Sequence, residues 1–399
     1  MPRPLSILCL LRDPLPPRRA DVLTLFGVEL PRHGIHTALV GQAAADVPLA
    51  WPGGALHPSG SFGGPLNSLL APLRDSLGLL RAWRAGKPDC LQVRDKILVA
   101  VLALLAARLL RIPFVYWMSF PIVEGYAAHA RTGAVRFATL HWLRARATAL
   151  LLYRLVLPRA SLVFVQSAAM ADALAARGLP RARLAAVPMG VDLALVARVT
   201  PVHDGRLAGR RVVVYAGSVG RARASLFLLD LAEALHACRP DVLLVIAGDA
   251  PSPAEAAWFR AELDRRALDG KLLFTGWLAH DQALGYVARA DVGLAPIPRG
   301  ALFDVSSPTK LVEYLALGVP AVASDIPDQR VVIEQSGAGT CVPMTVPAFC
   351  DAIAALLDDP QRAARGARGR DWVRAHRSYA VIGRAVAQRY RSLLAPGEP

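Results

Sequence analysis

Short apolar runs alternate with longer helix-forming stretches along most of this chain, and the alternation occurs twice. In the first half the runs at 6–11, 35–40, 90–93, 114–117, 162–165 and 184–187 read as strands. Helices are expected between them at about 20–32, 66–85, 97–110 and 168–177. In the second half strands are expected at 212–215, 242–247, 272–275, 292–295 and 321–323, with helices at about 225–238, 254–268, 281–290 and 309–317. Parallel strands need a crossover, and a helix is the crossover that covers a sheet face. The pattern therefore predicts an α/β chain of two doubly wound Rossmann-like domains facing a cleft, with ligands outside the carboxyl ends of the strands. The length of 399 residues agrees, because a single core rarely grows beyond about 250–300 residues. The expected divisions are 1–192, a linker at 193–209, 210–375, and a C-terminal helix at 376–399 packing back on the first domain. Positions 51–65, rich in Gly and Pro, read as a loop.

An apolar content of 54% and a mean hydropathy of +0.36 exclude a disordered chain and raise the question of a membrane span. The longest apolar run, 97–107, stops at Arg108, well short of the roughly 20 residues a bilayer requires. The N-terminal apolar stretch, 5–11, ends at Arg12 and gives no signal-peptide pattern. The five cysteines, Cys9, Cys90, Cys238, Cys341 and Cys350, form no CxxC and favour reduced thiols in a cytosolic protein. Net charge is +15 and uneven: residues 1–210 hold 25 basic and 11 acidic side chains, residues 211–399 hold 21 and 20. Such a field attracts an anionic partner, whether nucleic acid, anionic lipid or phosphorylated substrate.

Three stretches carry chemistry. In the segment 303–325 (FDVSSPTKLVEYLALGVPAVASD), Ser306, Ser307 and Pro308 read as a helix start. The amides of Thr309 and Lys310 then form an anion site at the helix end, reinforced by the Lys310 charge. Glu313 follows on the same face, where a carboxylate accepts the hydroxyls of a ribose. Taken alone, this is equally an ordinary capped helix with a Lys–Glu surface pair. In 215–226 (YAGSVGRARASL), a strand ends at Gly217 and Ser218, and Arg221 and Arg223 follow, suited to a diphosphate. Its plain alternative is a strand–helix turn with solvated arginines. The third is PMGVD at 188–192, where Gly190 marks the exit from the first domain. Neither GxGxxG nor a P-loop occurs, which disfavours a dinucleotide-dependent dehydrogenase.

Together these motifs resemble the large retaining glycosyltransferase family 4, of the GT-B fold. The resemblance covers most of the chain and is strongest over 160–345. It rests on 160–192 with its closing PxGVD, the 215–217 turn, IAGD at 246–249, FTGW at 274–277, ADVGLAPIP at 290–298 and KLVEYLALGVPAVASD at 310–325, in that order. It implies a metal-independent hexosyltransferase with no cofactor, whose second domain binds a nucleotide diphosphate sugar. Glu313 corresponds to the family's ribose-binding glutamate. Lys310, Ser307 and Thr309 lie by the diphosphate, as does Arg221 or Arg223. Gly217, Ser218 and Gly248 underlie the donor, and the Gly276–Trp277–Leu278 turn contacts the base.

The chain departs from the family in three places. The first signature glutamate is replaced by Val305, beside Asp304; the first strand–helix loop, 13–21, has Pro in place of a Gly pair and carries Arg18 and Arg19; and no His follows the strand at 114–117. Glu124 is the candidate general base on the acceptor side. The departing phosphate is an alternative proton acceptor.

No acidic residue occurs between Glu124 and Asp172, while Arg131, Arg136, Arg144, Arg146, Arg154 and Arg159 interleave with Phe137, Leu140, Trp142 and Leu143. The 131–159 segment reads as a helix on an anionic membrane, or else as a core-packed helix with surface arginines. The expected partners are a nucleotide sugar and a lipid-linked or polysaccharide acceptor at the inner, cytoplasmic membrane face. A basic nucleic-acid-binding protein, or a nucleotide-sugar enzyme other than a transferase, is the alternative. The first lacks a recognisable binding module.

Overall fold

Every strand ladder among the described residues is parallel, as the repeated alternation requires. The computed structural model describes residues 3–44, 50–131 and 138–395. These fall into two units, residues 1–188 with 379–399, and residues 189–378.

The first unit holds β1 (Leu5–Leu10), β2 (Ile35–Ala43), β3 (Leu56–Ser61), β4 (Cys90–Arg94), β5 (Phe114–Met118), β6 (Leu162–Val165) and β7 (Leu184–Ala186) in the order β3-β2-β1-β4-β5-β6-β7. The central strands β4, β5 and β6 are buried along their whole length because helices cover both faces. β3 corrects the expected loop at 51–65. It is an edge strand, with Pro58 tolerated there and a register shift against β2 at Gly41 and Gln42. The helix Tyr379–Leu394 packs on this unit: Tyr379, Ile382, Val386 and Tyr390 enter its core, and the Tyr390 hydroxyl meets the Gln92 carboxamide.

The basic segment is not one helix. Helices Ile122–Arg131 and Ala138–Ala149 pack against each other, followed by wider turns at Leu150–Val156. Arg136 and Phe137, and the side chains of Arg131 and Leu140, lie outside the described residues.

The second unit holds β8 (Arg211–Ala216), β9 (Val242–Ala247), β10 (Leu272–Phe274), β11 (Val292–Ala295), β12 (Ala321–Ser324) and β13 (Gly339–Val342) in the order β10-β9-β8-β11-β12-β13. Residues 193–209, read as a linker, belong to this unit. Leu207 is buried in its core, Val202 donates its N–H to the Gly285 carbonyl at 3.0 Å, and the Asp192 carboxylate caps the turn Leu193–Val196. The unit closes on a buried cluster. Arg377 donates to Asp328 at 2.7 Å and to Ser307 at 3.3 Å, and the Ser307 hydroxyl donates to Asp328 at 2.8 Å while accepting from the Met189 N–H at 3.0 Å. The PMGVD stretch is thereby tied to the last residues of the unit.

Candidate functional site

The second sheet switches direction between β8 and β11, which opens a crevice beyond the strand ends. These two strands share only the pairs Val213–Val292 and Val214–Gly293. Beyond them the Tyr314 side chain replaces the ladder. Its hydroxyl accepts from the Ala216 N–H at 2.8 Å and donates to the Leu294 carbonyl at 3.0 Å. Gly293 makes room for the ring, since a Cβ there would stand 2.4 Å from it. Burial pushes the Tyr314 hydroxyl well above its ordinary pKa, so it stays a neutral donor.

Tyr314 lies on the helix Thr309–Ala316, which brings Lys310 and Glu313 to the same place. The helix begins at Thr309, with extended Pro308 at the cap and no side-chain cap. The sequence expectation of a serine cap is therefore corrected. Ser306 donates instead to the Phe303 carbonyl at 2.6 Å, and Ser307 is consumed in the Arg377–Asp328 cluster. The first amides of the helix remain open to a ligand.

Lys310 is half-buried. Its ammonium lies 4.2 Å from the centroid of the Tyr215 ring, and no ion pair to it occurs among the described residues. The Tyr215 hydroxyl donates to the Ser218 carbonyl at 2.9 Å, which holds the ring in place. Gly217 sits against the ammonium, with Lys310 Nζ 3.6 Å from where a Cβ would stand. Gly217 and Gly248 have φ of +143° and +146°, and a Cβ on Gly248 would be 2.4 Å from the Gly217 carbonyl oxygen. Only glycine lets these two strand-end loops approach so closely. An ammonium withdrawn from water without a carboxylate is costly unless an anion completes it.

Glu313, one turn beyond Lys310, meets a residue the sequence reading missed. His280 Nε2 lies 2.9 Å from Glu313 Oε1. The hydrogen bond to Glu313 raises the His280 pKa above the ordinary value, against partial burial. His280 opens the helix that follows the Gly276–Trp277–Leu278 turn, so its place just after a strand end was the signal available. In that turn Gly276 has φ of +71° and bridges to Gly248, Leu278 packs on the core, and Trp277 is 77% exposed.

The remaining expected residues are placed differently. Arg221 pairs with Glu255 at 2.9 Å and lies over Trp258, lining a separate cleft of about 760 Å³ with Phe227, Arg299 and Met344. Arg223 is exposed two residues further on. Asp304 pairs with Arg299 at 2.8 Å.

In the first unit, Arg18 is exposed and Arg19 is held by Asp21 at 3.0 Å. Glu124 accepts from Tyr153 at 2.9 Å and from Arg177 at 2.9 Å, so the candidate base is already engaged. Among the described residues, no group of His, Cys, Asp and Glu is arranged to hold a metal ion.

Known protein families match both units. Residues 20–190 match the glycosyl transferase 4-like domain, and residues 210–359 match the glycosyl transferases group 1 domain. A phosphatidyl-myo-inositol mannosyltransferase from Mycolicibacterium smegmatis is 30% identical over 217 residues, covering 53% of this chain and 52% of that protein. The chain thus matches about half the length of this relative. Among solved structures, sucrose-phosphate synthase from Thermosynechococcus elongatus superposes with a TM-score of 0.73 at 19% identity, covering 98% of this chain and 99% of that one. The Anabaena protein HepE, solved with UDP-glucose, gives 0.66 at 17% identity, covering 97% and 99%. With both halves matched in order, and the whole fold shared with enzymes of that architecture, the chain belongs to the group 1, GT4-like glycosyltransferases of the GT-B fold.

Proposed function

We propose that the chain transfers a hexosyl group, with retention, from a nucleoside diphosphate sugar to a lipid-linked or polysaccharide acceptor at the cytoplasmic membrane face. One observation carries the reading: the half-buried Lys310 ammonium, paired with no carboxylate among the described residues, beside an uncapped helix start at the switch point. When the bond between the anomeric carbon and the diphosphate oxygen breaks, negative charge grows on the leaving group. Lys310 and the 309–310 amides place fixed positive charge there, with no reorganisation needed at the moment of reaction. This supports transfer without a metal ion.

Glu313 receives the ribose hydroxyls in exchange for His280. The acceptor oxygen attacks the face the diphosphate leaves, and a departing phosphate oxygen takes its proton. The engagement of Glu124 by Tyr153 and Arg177 favours that route over a base at Glu124. The named activity of the mycobacterial relative favours an anionic lipid acceptor, and the UDP-glucose in HepE a nucleotide sugar donor.

The test is a panel of UDP- and GDP-sugars, read first as thermal stabilisation and then as transfer, with and without EDTA. Stabilisation by a nucleoside diphosphate and EDTA-resistant transfer are expected. Stabilisation by DNA but by no nucleotide would overturn the reading.

A further inference from the structure

Two helices of the first unit, Pro65–Ala85 and Ile97–Leu110, pack on each other and still leave leucines in water. On the second helix these are Leu98, Leu102, Leu105 and Leu109, spaced four, three and four apart, so they form one face. On the first they are Leu73, Leu77 and Leu80, at the same spacing. Their exposures run from 42% to 85%. A cleft of about 260 Å³ lies between the helices, walled by Leu79, Trp83 and Ile112 together with Leu80, Leu102 and Leu109. The last three belong to the stripes as well, so the two stripes form one surface. Soluble monomers rarely leave a contiguous apolar patch of this kind without a use for it.

The charges around it have one sign. Arg81, Arg84, Lys87, Arg108 and Arg111 are exposed. The carboxylates of this stretch are turned away or paired: Asp75 is buried against Lys96 at 2.6 Å, Asp95 is buried beneath Ser119, and Asp89 pairs with Arg3. We infer that this leucine face, with cations clustered at the C-terminal ends of both helices, docks the enzyme on an anionic bilayer. The leucines enter the acyl boundary, and the arginine and lysine stems run along it with their charges among the headgroups. A second copy fits poorly, because a symmetric pairing brings the same patch, whose described carboxylates are buried or paired and cannot meet these cations. The inference relocates the membrane contact from the basic segment at 131–159, and it rests on the membrane part of the proposed function.

Cosedimentation with vesicles of mixed phosphatidylglycerol and phosphatidylcholine tests it on the full chain, without substrates. The wild type is expected to bind at low salt. Leu102→Glu/Leu105→Glu is expected to bind at least about tenfold more weakly, because the apolar insertion is lost. Arg81→Glu/Arg84→Glu/Arg108→Glu, which keeps the leucines, is expected to lose the salt-sensitive part of binding, and thermal unfolding of each variant checks the fold. If folded variants bind as the wild type does, this surface is wrong and the membrane reading stands. If the wild type ignores the vesicles, both fail. A wild-type dimer in sedimentation velocity that Leu102→Glu dissociates would assign the face to a second copy and overturn the proposal.

Discussion

The two units share a sheet order through their first strands and treat the switch point in opposite ways. In the first unit the cation at the end of β4, Arg94, is 1% exposed and closed off by the carboxylates of Asp21 and Asp95. Burial works against the charged form of Asp21, but the guanidiniums of Arg94 and Arg19 hold its pKa below the usual value. In the second unit the cation from the helix after β11, Lys310, has an aromatic ring beneath it and no carboxylate beside it among the described residues. The same topology thus gives a neutralised cluster in one half and, in the other, a cation with no carboxylate beside it among the described residues. The overall charge points the wrong way: the excess of basic residues lies in the first half, yet the open cation at a switch point lies in the second. What matters at such a site is whether a cation has been left without its counter-ion.

Four substitutions test this contrast. Arg94→Met should remove about 3–5 kcal/mol of stability in urea unfolding, because Asp21 and Asp95 lose the buried guanidinium they share and Asp21 keeps only the more exposed Arg19. A loss below about 1 kcal/mol would mean that the cluster is not structural. Lys310→Met should lower transfer by roughly 100- to 1,000-fold, about 3–4 kcal/mol in the barrier, while leaving the unfolding midpoint unchanged. An equal loss of stability would make Lys310 another Arg94. Tyr314→Phe should cost about 1–3 kcal/mol in unfolding, since the Ala216 N–H and the Leu294 carbonyl lose their bridge.

The smallest effect concerns His280. Its pKa is raised by Glu313, so the pair's contribution to stability is full below the unfolded histidine pKa and lost as pH rises through the folded one. Protonated His280 competes with a ribose for Glu313. Donor affinity, read by calorimetry across pH, should therefore rise with pH, and His280→Gln should flatten that slope. An unchanged slope would remove His280 from the donor site.

Much of the fold was legible because central parallel strands are buried on both faces and appear as unbroken apolar runs. The strands that escaped notice, β3 and β13, are sheet edges, only partly buried and lacking such a run. In the candidate site, the positions of Lys310, Glu313, Gly217 and Gly248 were legible from motifs because local backbone geometry places them. The pairing of Arg221, Ser307 and Glu124 was not. Their partners Glu255, Arg377 and Arg177 come from 34, 70 and 53 positions away, and no local pattern announces a distant counter-charge.

The sequence by itself determined two α/β halves, the position of the helix that carries Lys310 and Glu313, and the family. Those depend on periodicity and on residues close along the chain. Tertiary structure decided which charges are free and which apolar surface is exposed. The helix Ile97–Leu110 is nearly all apolar, yet its packing partners cover only one side and leave four leucines outside. Burial and charge pairing are properties of neighbours in space, and folding alone chooses those neighbours.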